Sequence, residues 1–354
     1  MSAASSSNAF DPVKTFGQLL ERDDPMPAPV AAVETLAQLV SRSDSSTIQE
    51  LLALLRDAST RIAAASFNPV AAQSGTALFM RYLTLQRPPP EMSFDQFKKE
   101  LVTRAREFVR GSGRCRDIIA AHTSSFIQDG NTILVHSYSR VVVQALLNAA
   151  QNQKKRFQVY VTESRPFGLG LKTHAILTEA GIPCVVVLDS AVAYVMPKCD
   201  MAIVGAEAVC ESGGLINFIG GFQMAIAAKA MGKPFYALAE SFKFTRLFPL
   251  GQYDIPSSLP AAPLSFPAAA DYDSRTTASS KCGGADAGGG VPPTPVRPMI
   301  DSKMPTPLEM SDEGVRGNPI LDYTTPDHIS LIVSDVGVLT PSGVSDALLA
   351  IFAE

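Results

Sequence analysis

The sequence predicts an α/β protein, with an N-terminal helical domain followed by a Rossmann-like, doubly wound domain built on a parallel sheet. Between residues 30 and 128, apolar residues recur at helical spacing and no convincing strand interrupts them. From residue 132 onward, short apolar runs alternate with helix-like segments. Uninterrupted apolar strands with intervening helices are typical of a parallel sheet that is covered on both faces.

The helical domain carries two N-terminal capping signals. Residues 47–50 and 93–96 both have capping-box spacing, and each precedes an apolar stripe at helical period. Gly111 follows the second stripe and predicts the end of that helix. Residues 1–29 begin with small, polar side chains, so we expect them to be disordered or loosely ordered.

The second domain is placed at residues 129–354. Its predicted strands are Ile133–Val135, Gln158–Val161, Val185–Leu188, Met201–Val204, Phe235–Ala239 and Leu331–Val333. Residues 257–318 are rich in Pro, Gly, Ser and Thr and show no period. Because loops of that length are uncommon inside compact domains, this segment is interpreted as a disordered surface insertion.

Net charge, cysteine spacing and hydropathy argue against several classes of protein. The 354 residues carry a formal net charge of −4, which argues against nucleic acid as the main partner. The five cysteines are widely spread without metal-ligand or disulfide spacing, so no metal site is expected. The first residues lack the features of a secretory signal, and no apolar stretch is long enough to span a membrane. We therefore expect a soluble, cytosolic protein.

Polar residues follow the predicted strands, where ligands of open α/β sheets bind. Ser137 or Ser139 can begin the next helix and offer its free N–H groups to an anion, and Arg165 can add a bidentate clamp. The same residues also fit a structural interpretation, in which the serines cap a helix and Arg165 pairs with Glu163. Glu207 follows the apolar run of a predicted strand. An acidic side chain at such a position must be hydrated, paired with a cation or part of a functional site.

Common nucleotide-binding signatures are missing. Residues 168–170 lack the third glycine of a dinucleotide loop, and residues 232–233 lack the upstream glycine of a P-loop. Both absences argue against a nicotinamide oxidoreductase or an ATPase.

Long segments around these strand ends resemble the family of alpha subunits of eukaryotic translation initiation factor 2B. The most specific are ILVHSYSRVV (133–142), IVGAEAVCESGGLINFIG (203–220) and AESFKFTRLFPL (239–250). The resemblance covers about residues 30–256 and 319–354, whereas the segment at 257–318 is not part of the family pattern.

The resemblance implies a regulatory subunit of a guanine-nucleotide exchange factor, not a stand-alone enzyme. Such a subunit forms a homodimer through its Rossmann-like domain and joins two copies of the beta, gamma, delta and epsilon subunits into a decamer. The assembly acts on initiation factor 2, and the helical domain would help to sense the phosphorylated alpha subunit of that factor in the integrated stress response. The apolar residues that we expect in the dimer interface are Phe242, Phe244, Leu247 and Phe248.

The resemblance extends to sugar-phosphate isomerases of the same fold, including methylthioribose-1-phosphate isomerase. Their catalytic cysteine aligns with Ser137, their catalytic aspartate with Glu207, and a lysine with Phe218. Neither catalytic residue is present, so we expect no catalysis and no required cofactor. An active isomerase, or a sugar-phosphate or nucleotide-binding protein, remains the alternative.

A ligand pocket can persist in a protein that lacks the catalytic residues of its enzymatic relatives. We therefore expect a sugar phosphate or a nucleoside monophosphate to bind as a structural or regulatory ligand. The expected ligand-binding residues are Ser137, Arg140, Arg165, Glu207, Asn217 and, from the helical domain, Arg81. The alternative for Arg81 is a surface salt bridge.

Overall fold

The computed structural model describes residues 10–21, 26–66, 68–85, 91–256 and 319–353. The predicted insertion at 257–318 lies outside the described residues. The helices are α1 (Pro12–Leu20), α2 (Ala28–Arg42), α3 (Ile48–Ala65), α4 (Pro69–Leu85), α5 (Phe94–Thr123), α6 (Arg140–Leu147), α7 (Leu169–Glu179), α8 (Val192–Val195), α9 (Gly221–Ala230) and α10 (Val344–Ala353). No helix within these ranges is both long enough and apolar enough to cross a membrane.

The first five helices form a layer around the buried face of α2, and its alanines let neighbouring helices approach closely. Both predicted capping signals are confirmed. The side chain of Thr47 accepts the N–H of Glu50, and Ser93 and Gln96 bond reciprocally at the start of α5.

Two expectations about the helical layer are wrong. Helix α5 does not end at Gly111 but continues to Thr123, because Ile119 and Ala120 beyond the glycine are buried in the core against the sheet. Residues 12–20, which we expected to be loosely ordered, form α1. The Asp11 side chain caps this helix, and Phe16 and Leu19 anchor it in the core.

The main sheet contains all six predicted strands as parallel neighbours, which confirms the fold class. The strands are β1 (Thr132–Val135), β2 (Gln158–Thr162), β3 (Cys184–Val187), β4 (Met201–Gly205), β7 (Phe235–Leu238) and β10 (Leu331–Ser334), with β11 (Gly337–Leu339) antiparallel at the edge. Their order is β11-β10-β7-β4-β1-β2-β3. β1 and β4 are buried along their whole length because helices cover both faces.

A second, four-stranded sheet was not predicted. It contains β5 (Ala208–Cys210), β6 (Leu215–Phe218), β8 (Phe244–Thr245) and β9 (Leu321–Thr324), in the order β8-β5-β6-β9. α4 contacts β5, and α5 contacts β10, so the helical layer and both sheets form one compact unit. This sheet follows the carboxyl end of β4 and therefore builds one wall of the site described below.

The close contact between α2 and α4 yields a stability prediction. A methyl group added at Gly75 of α4 would overlap the backbone of Pro29 in α2. Gly75→Ala should therefore lower the free energy of unfolding by about 1–3 kcal/mol, as overpacking does in a core. Gly111→Ala is the matched control, because a methyl group there meets no atom of the described residues within 4 Å. It should leave stability unchanged or raise it by up to about 1 kcal/mol. Urea unfolding of both variants checks the pair, and equal effects would contradict the packing described here.

Candidate functional site at the carboxyl edge of the sheet

The strand order changes direction at β1, and this opens a crevice at the carboxyl ends of β1 and β4. β2 and β3 lie on one side of β1, whereas β4, β7 and β10 lie on the other. Residues 136–139 leave β1 and lead into α6, and residues 206–207 leave β4. A Cβ atom at Gly205 would overlap the side chain of Ser139, so this glycine lets the start of α6 lie against β4.

Ser137 lies two residues after the end of β1 in a strained conformation. Its φ of 59° is in the left-handed region, and the residue is 3% exposed. Its N–H donates to Oγ1 of Thr162, and its carbonyl accepts from Thr173. Its own hydroxyl oxygen is buried without a hydrogen-bond partner in the described part of the chain. Ser137 itself does not line the cavity described below, although its neighbour Tyr138 does.

His136 is a structural residue. Its Nε2 lies 3.2 Å from the carbonyl oxygen of Phe218, which can only accept, so Nε2 carries the proton. Nδ1 then accepts from the hydroxyl of Thr162 at 2.8 Å. Burial lowers the pKa of His136, which keeps the ring neutral. Both nitrogens are thus engaged in joining β1 to β2 and β6.

A cavity of about 390 Å³ opens at this edge. Arg140, at the start of α6, and Glu207 line it, as the sequence predicts. Lys172, Lys243 and Glu240 also line it, so the described residues of the wall include three cationic and two anionic side chains. Together with the N-terminus of α6, where Ser139 provides no side-chain cap, these charges favour an anionic ligand.

Lys243 and Glu240 form a buried ion pair within the cavity wall. The Lys243 Nζ lies 3.1 Å from Oε2 of Glu240 and donates to the carbonyl of Ala206 at 2.8 Å. Among the described residues Oε2 of Glu240 accepts no hydrogen bond, so the charge of Lys243 offsets the loss of hydration of this oxygen. Lys172 lies on the first turn of α7, with its Nζ 4.3 Å from the ring centre of Tyr138.

A residue of the helical layer holds the carboxylate of Glu207 by a hydrogen bond. Its Oε2 accepts from the side-chain amide of Asn68 at 2.9 Å, and Asn68 directly precedes α4. Sequence reasoning missed Asn68, Lys172 and Lys243. The only signal for the two lysines was their position shortly after β2 and β7.

Asn217 lies beside the cavity and braces its wall. Its Nδ2 donates to the carbonyl of Gly205 at 2.7 Å, and its Oδ1 accepts from Phe218 N–H. Its partner across the β6–β9 ladder is Asp322, whose Oδ2 accepts from the N–H groups of Gly220 and Phe222 and so caps α9.

Arg165 and Arg81 do not line this cavity. Arg165 is exposed after β2, and its backbone N–H donates to Asp189. Arg81 lines a different cavity, which it shares with Arg246. The expectation that both arginines reach a single pocket is therefore wrong, because α4 directs Arg81 toward β8 instead of toward β1.

The structure also corrects the predicted dimer interface. Phe242 is buried edge-on against Phe108 of α5, and Phe244 lies in the core as part of β8. Leu247 is half-buried, whereas Phe248 is 65% exposed. The two buried rings belong to the core because the chain folds back after β7 to pair β8 with β5.

The family model of the initiation factor 2 subunit family matches residues 23–341. The chain therefore belongs to that family. It is 37% identical over 341 residues, 96% of each chain, to the protein of Dictyostelium discoideum named translation initiation factor eIF2B subunit alpha. It is 29% identical over 250 residues, 70% of this chain and 66% of the relative, to a ribose 1,5-bisphosphate isomerase of Archaeoglobus fulgidus. Its fold matches that of a chain in the tetrameric eIF2B-beta2-delta2 complex from C. thermophilum, with a TM-score of 0.66, 20% identity and coverage of 96% of this chain and 94% of that one.

The buried carboxyl group of Asp322, which caps α9, makes the stability of the folded protein depend on pH. Desolvation raises the pKa of Asp322 from 3.8 to about 7. The folded protein therefore keeps the proton of this carboxyl group up to about pH 7, whereas the unfolded chain loses it near pH 4. The contribution of Asp322 to the free energy of unfolding thus falls as the pH rises from about 4 to about 7. In Asp322→Asn the group cannot ionise. Relative to the wild type, the variant should therefore become more stable across this range. Urea unfolding at several pH values measures the difference, and a constant difference would contradict the assignment.

Proposed function

We propose that this chain is the alpha subunit of translation initiation factor 2B, a regulatory subunit of the exchange factor for initiation factor 2. The observation that carries the proposal is the 37% identity to a named alpha subunit through 96% of both chains. In this role the chain dimerises, joins two copies of the beta, gamma, delta and epsilon subunits into a decamer in the cytosol, and helps to sense phosphorylated initiation factor 2.

The chemistry of the strand-end cavity supports binding without turnover. At the position aligned with an isomerase's cysteine, the Ser137 hydroxyl has no base within hydrogen-bond reach among the described residues. An alcohol without a base is a far weaker acid or nucleophile than a thiolate. Glu207 replaces the shorter aspartate, and its carboxylate is engaged by Asn68. Phe218 lines the cavity where an isomerase has a lysine.

The same cavity supports an organic phosphate as a regulatory ligand. Its volume suits a sugar phosphate or a nucleoside monophosphate, and its cationic groups surround the start of α6.

Calorimetry with ribose 5-phosphate and adenosine monophosphate tests this ligand class. Arg140→Gln removes a charge from the cavity wall, so affinity should fall by about tenfold to a hundredfold, as expected for a charge-assisted hydrogen bond. Arg165→Gln, an equal charge change outside the cavity, is the control and should bind like the wild type. No heat with either phosphate at millimolar concentration would contradict the ligand, and equal losses in both variants would contradict the site.

The second candidate function is a sugar-phosphate isomerase, favoured by the similarity to the ribose 1,5-bisphosphate isomerase of A. fulgidus. A turnover assay with ribose 1,5-bisphosphate and methylthioribose-1-phosphate separates the two candidates. The regulatory assignment predicts no isomerisation above the rate without protein. Turnover that Glu207→Gln abolishes would establish the enzyme instead.

The surface that follows β8 is our proposed dimer contact. Phe248 is 65% exposed and Leu250 is 84% exposed, so they place apolar area in solvent within two residues of each other. Pro249 between them is buried and fixes the segment to the body of the protein. A second copy that covers these side chains would gain the free energy of their burial.

Phe248→Asp should shift the protein from dimer toward monomer in analytical ultracentrifugation, because the new carboxylate would lose its hydration in the contact. Tyr194→Asp is the control, since Tyr194 is 75% exposed on α8, in a different part of the fold. A dimer mass that Phe248→Asp leaves unchanged would show that another surface mediates the contact.

Exposed arginines on α5 support the sensing role. Arg106 and Arg110 are both exposed one turn apart. Arginines are the common partners of phosphoserine, which carries almost two negative charges.

Charge reversal at Arg106 and Arg110 should weaken the inhibition of nucleotide exchange by phosphorylated initiation factor 2, while the dimer mass stays unchanged. The measurement is GDP release in the reconstituted exchange factor, with and without the phosphorylated factor. Arg156→Glu, an exposed arginine on the loop before β2, provides the control. Full inhibition in the α5 variant would argue against sensing by this helix face.

A further inference from the structure

The segment that follows β7 joins the strand-end cavity to the helical layer. Ser241–Lys243 form a single helical turn directly after Glu240. We refer to residues 240–243 as the cavity turn. Glu240 and Lys243 line the cavity, whereas Phe242 is not among the described residues that do so. Phe242 is 2% exposed and lies against the helical layer, so the turn has one side in the cavity and one side in the core.

Helix α5 contacts the cavity turn at Phe242. The rings of Phe108 and Phe242 lie edge to face, with their centroids 6.1 Å apart and their planes at 80°. Aromatic rings prefer this arrangement, and such a pair contributes a factor of about two to ten to an equilibrium constant beyond the burial of its surface. α2 and α4 also pack against the turn, so the helical layer encloses the side that carries Phe242.

A second contact connects α5 to the same turn through Asp335. The backbone N–H and the hydroxyl of Ser241 both donate to the carboxylate of Asp335, each at 2.7 Å. Burial and this carboxylate raise the pKa of the Cys115 thiol on α5 to about 12, so Cys115 lies beside Asp335. Phe108 and Cys115 are about two turns apart and therefore share one face of the helix. This face of α5 holds the turn at two points.

The position of the cavity turn decides where two charges of the cavity lie. Glu240 and Lys243 are the two ends of the turn, and the carbonyl of Ala206 accepts a hydrogen bond from the Lys243 ammonium. The two side chains are only 3% and 13% exposed, so they cannot move far unless the turn moves with them. Charged groups that are already in place bind an anion with little loss of entropy. A loosened turn therefore binds the anion less tightly.

We propose that Phe108 of α5 is a positioning residue of the strand-end cavity, because it holds the cavity turn in place. This inference rests on the proposed function, since its ligand is the organic phosphate proposed for that cavity. Phe108 is not among the described residues that line the cavity, so it acts through Phe242. Arg106 and Arg110 are exposed on the same helix. The ligand and the proposed phosphorylated partner thus act on one helix.

Calorimetry with ribose 5-phosphate on the full-length chain tests the positioning role. Phe108→Ala removes the ring contact, so the dissociation constant should rise by about twofold to tenfold, which is the factor that one aromatic pair contributes. Phe108→Leu still fills most of the space beside Phe242 and should retain most of the affinity.

Phe97→Ala is the matched control for Phe108→Ala. Phe97 also lies on α5 and also pairs with a second ring, that of Phe94, at 6.1 Å, but it is buried in the core of the helical layer. Its truncation should destabilise the protein and leave the affinity of the folded protein for ribose 5-phosphate unchanged.

Thiol labelling of the wild type gives a second test that needs no variant. Iodoacetamide alkylates cysteines, and mass spectrometry reads each cysteine separately. Ribose 5-phosphate at about ten times its dissociation constant should slow the alkylation of Cys115 by up to about tenfold, because the bound ligand suppresses local opening of the turn. Cys115 is not among the described residues of the cavity wall, so the ligand does not shield it directly. Cys184, half-buried at the amino end of β3, is the internal control and should react at an unchanged rate.

The outcomes separate the positioning role from the proposed ligand. If ribose 5-phosphate binds Phe108→Ala as tightly as the wild type, or if Phe97→Ala loses as much affinity, the positioning role is overturned and the ligand stands. Alkylation of Cys115 that the ligand leaves unchanged, or slows no more than that of Cys184, overturns it as well. If Phe108→Ala does not fold, the labelling of the wild type decides. A wild type that binds neither ribose 5-phosphate nor adenosine monophosphate at millimolar concentration contradicts the ligand of the proposed function, and the positioning role with it.

Discussion

The burial of the central strands on both faces is the constraint on which the rest of the structure depends. β1 and β4 expose none of their residues, so both strands need helices above and below them. The crossovers that supply these helices must diverge where the strand order changes direction, which is between β1 and β4. The divergence leaves the crevice and places the start of α6 beside it. Ser137, between β1 and α6, has a left-handed backbone conformation.

The main sheet could be predicted because each of its parallel strands is a continuous apolar run. The second sheet could not. β8 has two residues and β5 has three, which is too short for any period to be visible. β9 pairs with β6 although residues 257–318 separate it from the rest of the chain, so its pairing is set by tertiary contacts. The predicted end of α5 at Gly111 is wrong for the opposite reason. The packing of α5 along the sheet overrides a strong local signal for the end of a helix.

The site was predictable to the extent that strand order determines it. Arg140 and Glu207 lie within five residues of the ends of β1 and β4, and both line the cavity. Asn68 lies 139 residues before the glutamate that it holds, and no local pattern indicates that contact. Phe242 and Phe244 were assigned to a surface because their sequence is apolar, but an apolar segment fits a core equally well until the pairing of β8 with β5 is known.

In the proposed role, the chain keeps a ligand crevice in its α/β fold and acts by assembly with other subunits. The most direct test of this role is the mass of the purified chain, measured by native mass spectrometry alone and after mixing with the beta, gamma, delta and epsilon subunits of initiation factor 2B. The proposed role predicts a dimer for the chain alone, and in the mixture a complex with two copies of every subunit. A chain that stays monomeric, or that leaves the four-subunit complexes unjoined, would contradict it.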